Sequence, residues 1–341
     1  MLAHAFLSVM TAAQAATPTS DVDDLIPLTR NEIRRLFTAA TAPRPDRCPR
    51  PEMVPVASSA PSPCPGQPLP TANSRHQSRI TNNGWTTSFT SVDRSEIFDI
   101  AHLRHPIAAP VAPDRLRELV GWLSPAVGAR AVDLGCGEGE WLQQVLLDHP
   151  ATTGVGIDHM LPASAARRTG ERGLTDRVRW IETDAATWND GLFDVVLCVG
   201  ARHAFGGLED MLVAVRQHLR PGGQALIGEM IWEGTPSAAA LAALGLPSDS
   251  VPDLAGLVRA FHRHGFEPSF GHVSTLTEWD DYEFSWTGSL VDWAVRSAPT
   301  VEHRNQALTA AREHRDTWLG GLRRELGFAT FVLHDVSPGP V

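Results

Sequence analysis

The chain has 341 residues and no lysine; all 29 of its basic residues are arginine. Schiff-base chemistry, the lysine of a phosphate-binding P-loop and the lysine of a kinase are thereby excluded. Cysteine is scarce and scattered, at 48, 64, 136 and 198. With no C-x-x-C pair these provide neither a disulfide framework nor a zinc site, so no metal is expected and the chain reads as a protein of a reducing compartment. No apolar run approaches the ~18 residues of a membrane span. Residues 1–16 imitate a secretory signal in their A-x-A-like end but lack a positively charged start, so a cytoplasmic protein is expected. Positive charge is short as well: the formal charge is -10. The first 80 residues hold 8 Arg and 6 acids, which leaves 21 Arg of the 29 against 33 acids of the 39 in the remainder. A field of that sign repels phosphate chains, so the expected partner is a small molecule, with no nucleic acid and no membrane.

Proline is what the chain has in excess at one place. Residues 43–70 hold 10 of the 26 prolines, which fix φ and remove backbone donors. Residues 41–90 therefore read as a disordered linker behind a short leader, 1–40, in which 28–37 has the spacing of one amphipathic helix. From about 95 the texture changes to strand-length apolar runs alternating with helical patterns. Strands are predicted at 129–134, 154–157, 178–182, 193–199, 224–231 and 330–334. Helices are predicted at 113–123, 140–147, after the second strand through 166, and at 208–219, 236–245, 253–264, 281–297 and 302–326. FDVVLCV (193–199) is almost continuously apolar, as a strand buried on both faces must be. This βαβα rhythm predicts an α/β fold with a doubly wound, Rossmann-like parallel sheet.

The informative loop is Val132-Asp133-Leu134-Gly135-Cys136-Gly137-Glu138-Gly139, placed between a predicted strand and a predicted helix. Glycines let backbone turn sharply and approach a ligand, and the N–H groups of such a loop favour a negative group. The spacing is G-x-G-x-G, whereas dinucleotide loops have G-x-G-x-x-G. Asp133 and Glu138 would repel a pyrophosphate but welcome an ammonium. S-adenosylmethionine fits: its amino group can meet Asp133 and its carboxylate the loop N–H groups of Gly135, Cys136 and Gly137. Asp158, ending GVGID, is placed to accept from both ribose hydroxyls, with His159 and Met160 beside the adenine. Asp184 and Ala185 follow the third strand, where a carboxylate and a backbone N–H can meet the adenine edge. Gly200 ends the fourth strand.

AVDLGCGEG (131–139), GIDHM (156–160), ETDAATW (182–188), FDVVLCVGARHAFGG (193–207) and LRPGGQALIGE (219–229) together resemble the core of the bacterial class I S-adenosylmethionine-dependent methyltransferases. With its flanks the resemblance spans 95–336. An H-P-x-x-x-P segment (His105 to Pro110) and W-D-x-Y-E (Trp279 to Glu283) resemble a bacterial small-molecule branch of that family. The resemblance implies a seven-stranded sheet of order 3-2-1-4-5-7-6 with its last strand antiparallel, and a helical cap over 233–327 covering the site. Separately, LAHAFLSV, LIPLTRNEIRRLF and RHQSR in residues 1–80 resemble the C-terminal tail of insertion-sequence transposases, without any catalytic carboxylates. That implies a fused remnant or an upstream start, and a leader without function is the expectation.

Methyl transfer from a sulfonium is an in-line displacement, so positioning and exclusion of water matter most, and the acceptor would be an N or O atom, less readily S or C. His203, three residues past Gly200, is either a general base or part of the pocket wall. Glu229, ending the fifth strand, is either a pocket carboxylate or a structural acceptor. Tyr282 is either a substrate-stacking residue or core, like its neighbours Trp279 and Trp286. Arg202 is either a binder of an acceptor anion or a solvated loop residue; His105 is a lid or turn residue, and Cys198 is core. Two other functions compete: a nicotinamide-dependent oxidoreductase, disfavoured by the loop spacing and Asp133, and a DNA-associated protein working through its leader.

Overall fold

A computed structural model describes residues 94–247 and 249–337. The leader, the linker and the 28–37 helix expected from sequence lie outside the described residues, as do Cys48 and Cys64. The strands are β1 (Arg130–Leu134), β2 (Thr153–Asp158), β3 (Val178–Glu182), β4 (Phe193–Val199), β5 (Leu219–Trp232), β6 (Phe266–Val273) and β7 (Leu326–Asp335). The helices are α1 (Arg94–Ala101), α2 (Pro113–Gly121), α3 (Glu140–Asp148), α4 (Ala163–Glu171), α5 (Leu208–His218), α6 (Ala238–Leu244), α7 (Leu254–Arg263), α8 (Leu276–Arg296) and α9 (Val301–Thr317). The strands form one sheet of order β3-β2-β1-β4-β5-β7-β6. Strands β1 to β5 pair in parallel, and β7 runs antiparallel to both β5 and β6.

The sheet separates two cores, and β4 shows how. Val195 and Leu197 pack on one side with α2, α3 and α8, while Val196 and Cys198 pack on the other with α5 and α7. That two-sided burial is what the unbroken apolar run demanded, since alternate side chains point to opposite faces.

Three sequence expectations need correction. The cap expected as helical over 233–327 contains β6, whose FEPSFGHV sequence buries only Phe266 and then alternates exposed with half-buried positions at the sheet edge. Pro268 and Gly271 lower its strand propensity and hide the pattern. Helix α8 begins at 276 rather than 281, because Thr275 and Glu278 form a capping box: Glu278 N–H donates to Thr275 Oγ1 (3.2 Å) and Thr275 N–H to Glu278 Oε2 (2.8 Å). The helix expected over 302–326 ends at Thr317, and a π turn, Trp318–Leu322, leads into β7. Helix α1 was not foreseen. Among the described residues no helix is long and apolar enough to cross a membrane.

Candidate active site

Beyond β1 the chain must turn at once, and Gly135 does so with φ 78°. A Cβ there would also overlap the side chain of Ala201 behind β4, so this position excludes every larger residue twice over. The N–H groups of Gly135 and Cys136 both donate to Ile157 O, at 2.8 and 2.9 Å. Gly137, with φ 47°, donates to Asp158 Oδ2 at 2.9 Å, and Gly139 donates to Cys136 O at 2.8 Å. The expectation that the loop N–H groups of Gly135, Cys136 and Gly137 meet a ligand carboxylate is therefore corrected. They are consumed in closing the loop onto the end of β2, where a carbonyl and a carboxylate would otherwise lack partners.

Glu138 is corrected in the same way. It is buried, accepts from Ser164 Oγ at 2.5 Å and forms an ion pair with Arg168 of α4, whose Nη2 also donates to Glu138 O at 2.7 Å. Its charge is met within the protein, so it ties the loop to α4.

Asp133 behaves differently. Its side chain is 2% exposed and Oδ2 has no hydrogen-bond partner among the described residues. Burial, with the nearby charge of Asp158, pushes its carboxyl up to about 7, against a weaker opposing pull from the Leu142 backbone N–H. Asp158, at the end of β2, is also largely buried, yet hydrogen bonds from His159, Gly137 and Met160 hold its carboxyl below the usual range. Met160 N–H donates to Oδ1 at 3.1 Å and the His159 ring lies 3.2 Å away, its own affinity for a proton raised by that carboxylate. At the end of β3, Asp184 is exposed and caps the Ala186 N–H at 2.9 Å, while Ala185 is buried. Gly200, after β4, takes φ 68° and donates to Gly228 O at 2.7 Å. The sheet order 3-2-1-4 sets these positions side by side along the carboxyl edge, where α/β sheets hold their ligands. Cys136 and Cys198 are buried with thiols pushed up by burial, so neither is a nucleophile.

His203 sits on a 3-10 turn, Arg202–Phe205, and burial pushes its imidazole down to about 4, which keeps it neutral. Arg202 is buried rather than solvated. Its Nη1 donates to Ser250 O at 2.7 Å and its Nε lies 3.4 Å from Glu229 Oε2. Burial pushes Glu229 up to about 7, partly offset by Arg202, and its Oε1 has no partner among the described residues.

Tyr282 is not brought together with Glu229. Along β5, Leu226 and Met230 point into the core that contains Tyr282, and Ile227 and Ile231 into the other; alternation puts Glu229 on the latter side. Tyr282 instead contacts two histidines that precede the parallel sheet. His102 Nδ1 lies 2.9 Å from Phe98 O, which can only accept, so the ring proton is on Nδ1. His102 Nε2 then accepts from the Tyr282 hydroxyl at 3.3 Å. His105 meets the Tyr282 ring edge-on at 5.3 Å between centroids. Phe98 itself reaches to 3.9 Å from where a Cβ of Gly137 would stand, so α1 overlies the glycine loop. Sequence reasoning missed Phe98 and His102 because nothing local marks a helix 40 residues upstream as part of this site. Among the described residues no group of three or more His, Cys, Asp and Glu is placed to hold a metal.

Comparison with known proteins agrees with this geometry. A family model described as a methyltransferase domain matches residues 132–225. The chain is 36% identical over 196 residues to the uncharacterized protein YjhP of Escherichia coli (strain K12), a match covering 56% of this chain and 79% of that one. It is 30% identical over 122 residues to the 27-O-demethylrifamycin SV methyltransferase of Amycolatopsis mediterranei, covering 35% of this chain and 45% of that enzyme. A crystal structure of a SAM-dependent methyltransferase from Geobacter sulfurreducens in complex with S-adenosyl-L-homocysteine superposes with a TM-score of 0.63 at 30% identity, covering 72% of this chain and 98% of that one. The carboxyl edge, where Asp133 Oδ2 lacks a partner among the described residues, and relatives matched over most of their own length lead to one conclusion: the chain belongs to the S-adenosylmethionine-dependent methyltransferases.

Proposed function

We propose that the enzyme methylates an oxygen or nitrogen atom of a small molecule, with S-adenosylmethionine held along the carboxyl edge of β1 to β4. The observation that carries the cofactor placement is Asp133 Oδ2, a buried acceptor with no hydrogen-bond partner among the described residues. A buried carboxylate needs a cation or a donor, and the cofactor's ammonium is one. The arrangement fits the rest of the cofactor as well. Asp158 retains lone pairs beyond those given to Gly137 and Met160, enough for ribose hydroxyls. Asp184, Ala185 and His159 surround the place for the adenine, and Cys136 and Gly200 form the floor. When bound, S-adenosylmethionine supplies a methyl group already activated on a sulfonium.

The chain's own task is then to orient the acceptor and exclude water. His203 is available there as a neutral imidazole, in the protonation state a base requires. The acidic balance of the sequence supports a small acceptor over RNA or DNA, and one relative is named for a small molecule. Calorimetry tests the cofactor reading: S-adenosylhomocysteine should bind and NADH should not, and the reverse result would overturn it. Transfer of labelled methyl tests the acceptor: label should enter a low-molecular-weight cell fraction and not total RNA.

A further inference from the structure

The segment between β4 and α5 is bounded by two glycines in the left-handed region, Gly200 at φ 68° and Gly206 at φ 89°. Glycine constrains the backbone little, so the place of the turn between them, Arg202–Phe205, depends on what its side chains hold. Ala201 and Phe205 are buried in the core shared with α5 and α7. The polar tie is Arg202, which is buried as well. Its Nη1 donates to Ser250 O at 2.7 Å, in the loop before α7, and its Nε lies 3.4 Å from Glu229 Oε2 in β5. One guanidinium thus joins the chain leaving β4 to β5 and to the loop that leads into α7.

A guanidinium does not discharge, so a buried one needs an anion. Among the described residues Glu229 is the sole carboxylate within ion-pair distance of Arg202. Glu229 is itself buried, and its Oε1 has no hydrogen-bond partner among the described residues. The backbone N–H groups of Arg202 and Met230 also favour its charged form, so the carboxylate attracts both the side chain and the first N–H of the turn. The turn bears on the cofactor site from the other side. A Cβ on Gly135 would overlap Ala201, so the residue that opens the turn lies directly against the glycine loop. Gly200 and His203 stand on either side of that contact in the chain.

We propose that Glu229 is a positioning residue for this site: its carboxylate, acting through Arg202, seats the 201–205 turn against the glycine loop, and the turn loosens when that carboxylate takes up a proton. The effect on the cofactor rests on the methyltransferase reading above; the seating of the turn does not. Burial pushes Glu229 up to about 7 against the pull of Arg202. Above that pH both partners are charged and the turn is held. Below it Arg202 keeps its charge and loses its anion, and a buried charge left alone is driven toward water. The other titratable groups here are Cys198 of β4, His203 on the turn and Asp253, exposed at the N-cap of α7, which is bridged to Trp232 at the end of β5. Burial pushes the Cys198 thiol up and the His203 imidazole down to about 4, so both are neutral between pH 6 and 8. Asp133, also pushed up to about 7, lies on the opposite face of the sheet, since Val132 and Leu134 beside it face the core of α5 and α7.

Hydrogen exchange read by mass spectrometry on the full chain without ligand, at pH 6 and pH 8 and corrected for the intrinsic effect of pH on exchange, tests the seating. In the wild type the peptide covering 200–206 should lose protection at least fivefold from pH 8 to pH 6, while peptides from β1 and β4 keep theirs. Asp133→Asn should show the same response. Glu229→Gln should be weakly protected over 200–206 at both pH values, with β1 and β4 protected as in wild type to report that it folds. Calorimetry at pH 8 should find S-adenosylhomocysteine bound at least fivefold more weakly by Glu229→Gln. Wild-type protection that does not change with pH overturns the inference without need of any variant. So does a pH response that survives in Glu229→Gln or vanishes in Asp133→Asn, or an unchanged affinity in Glu229→Gln. Failure of S-adenosylhomocysteine to bind the wild type would strike the cofactor reading, and the cofactor effect with it, while the exchange result still decides whether Glu229 seats the turn.

Discussion

Asp133→Asn separates the needs of the fold from those of the ligand. The carboxyl is almost fully buried and is pushed from 3.8 up to about 7, so its charged form carries a penalty on the order of 4 kcal/mol in the protein without ligand. The folded state holds this proton more tightly than the unfolded state does. Stability is therefore lost as pH rises from about 4 to about 7 and is level above. Asparagine cannot ionise. The variant should gain about 2–4 kcal/mol over wild type in urea unfolding at pH 8 and match it near pH 4. Ligand binding should move the other way. A charge-assisted hydrogen bond to the ammonium contributes about 1.5–3 kcal/mol, so the affinity for S-adenosylhomocysteine at pH 8 should fall roughly 10- to 100-fold. In the wild type, binding below pH 7 must first ionise Asp133. Calorimetry in buffers of different ionisation enthalpy should then register release of up to one proton near pH 6, and the variant should release none at this site. A variant that binds as tightly as wild type, or a wild type that releases no proton, would refute the placement of the ammonium at Asp133.

Asp158→Ala removes the acceptor for the Gly137 and Met160 N–H groups along with the ribose partner, and should weaken S-adenosylhomocysteine by about 1–3 kcal/mol in calorimetry; an unchanged dissociation constant would count against the ribose role. Arg168→Met strands the buried charge of Glu138 and should cost about 3–5 kcal/mol in unfolding experiments, with much of the loss recovered in the double variant Arg168→Met/Glu138→Gln. Gly135→Ala must hold a side chain at φ 78° and against Ala201, so it should lose at least about 2 kcal/mol of stability; Ala201→Gly in the same chain should relieve only the contact.

Much of the sheet was legible along the chain. The bounds of β3 and β4 coincide with the predicted runs Val178–Glu182 and Phe193–Val199, and β4 was the plainer of the two because a strand buried on both faces has to be apolar at nearly every position. Strand β6 was not legible, since an edge strand with one solvated side, a proline and a glycine carries no clear period. The positions of Asp133, Asp158, Asp184 and Gly200 were readable because each lies at or within two residues of a strand's carboxyl end, and those ends gather on one edge of a doubly wound sheet.

Partnership was what the linear order left open. Glu138 and Asp133 look alike in sequence, two acids flanking the same glycines; Arg168, thirty residues on, neutralises one, and no described side chain reaches Oδ2 of the other. Tyr282 and Glu229 both stand near apparent pocket motifs, yet the sheet lies between them, and the tyrosine hydroxyl goes to a histidine 180 residues earlier. Spacing and periodicity are local properties, so composition and strand pattern sufficed for the class of fold and for gathering Asp133, Asp158, Asp184 and Gly200 along one edge of the sheet. Whether a buried polar atom is satisfied depends on which distant residues are brought against it, and that only the packed chain decides.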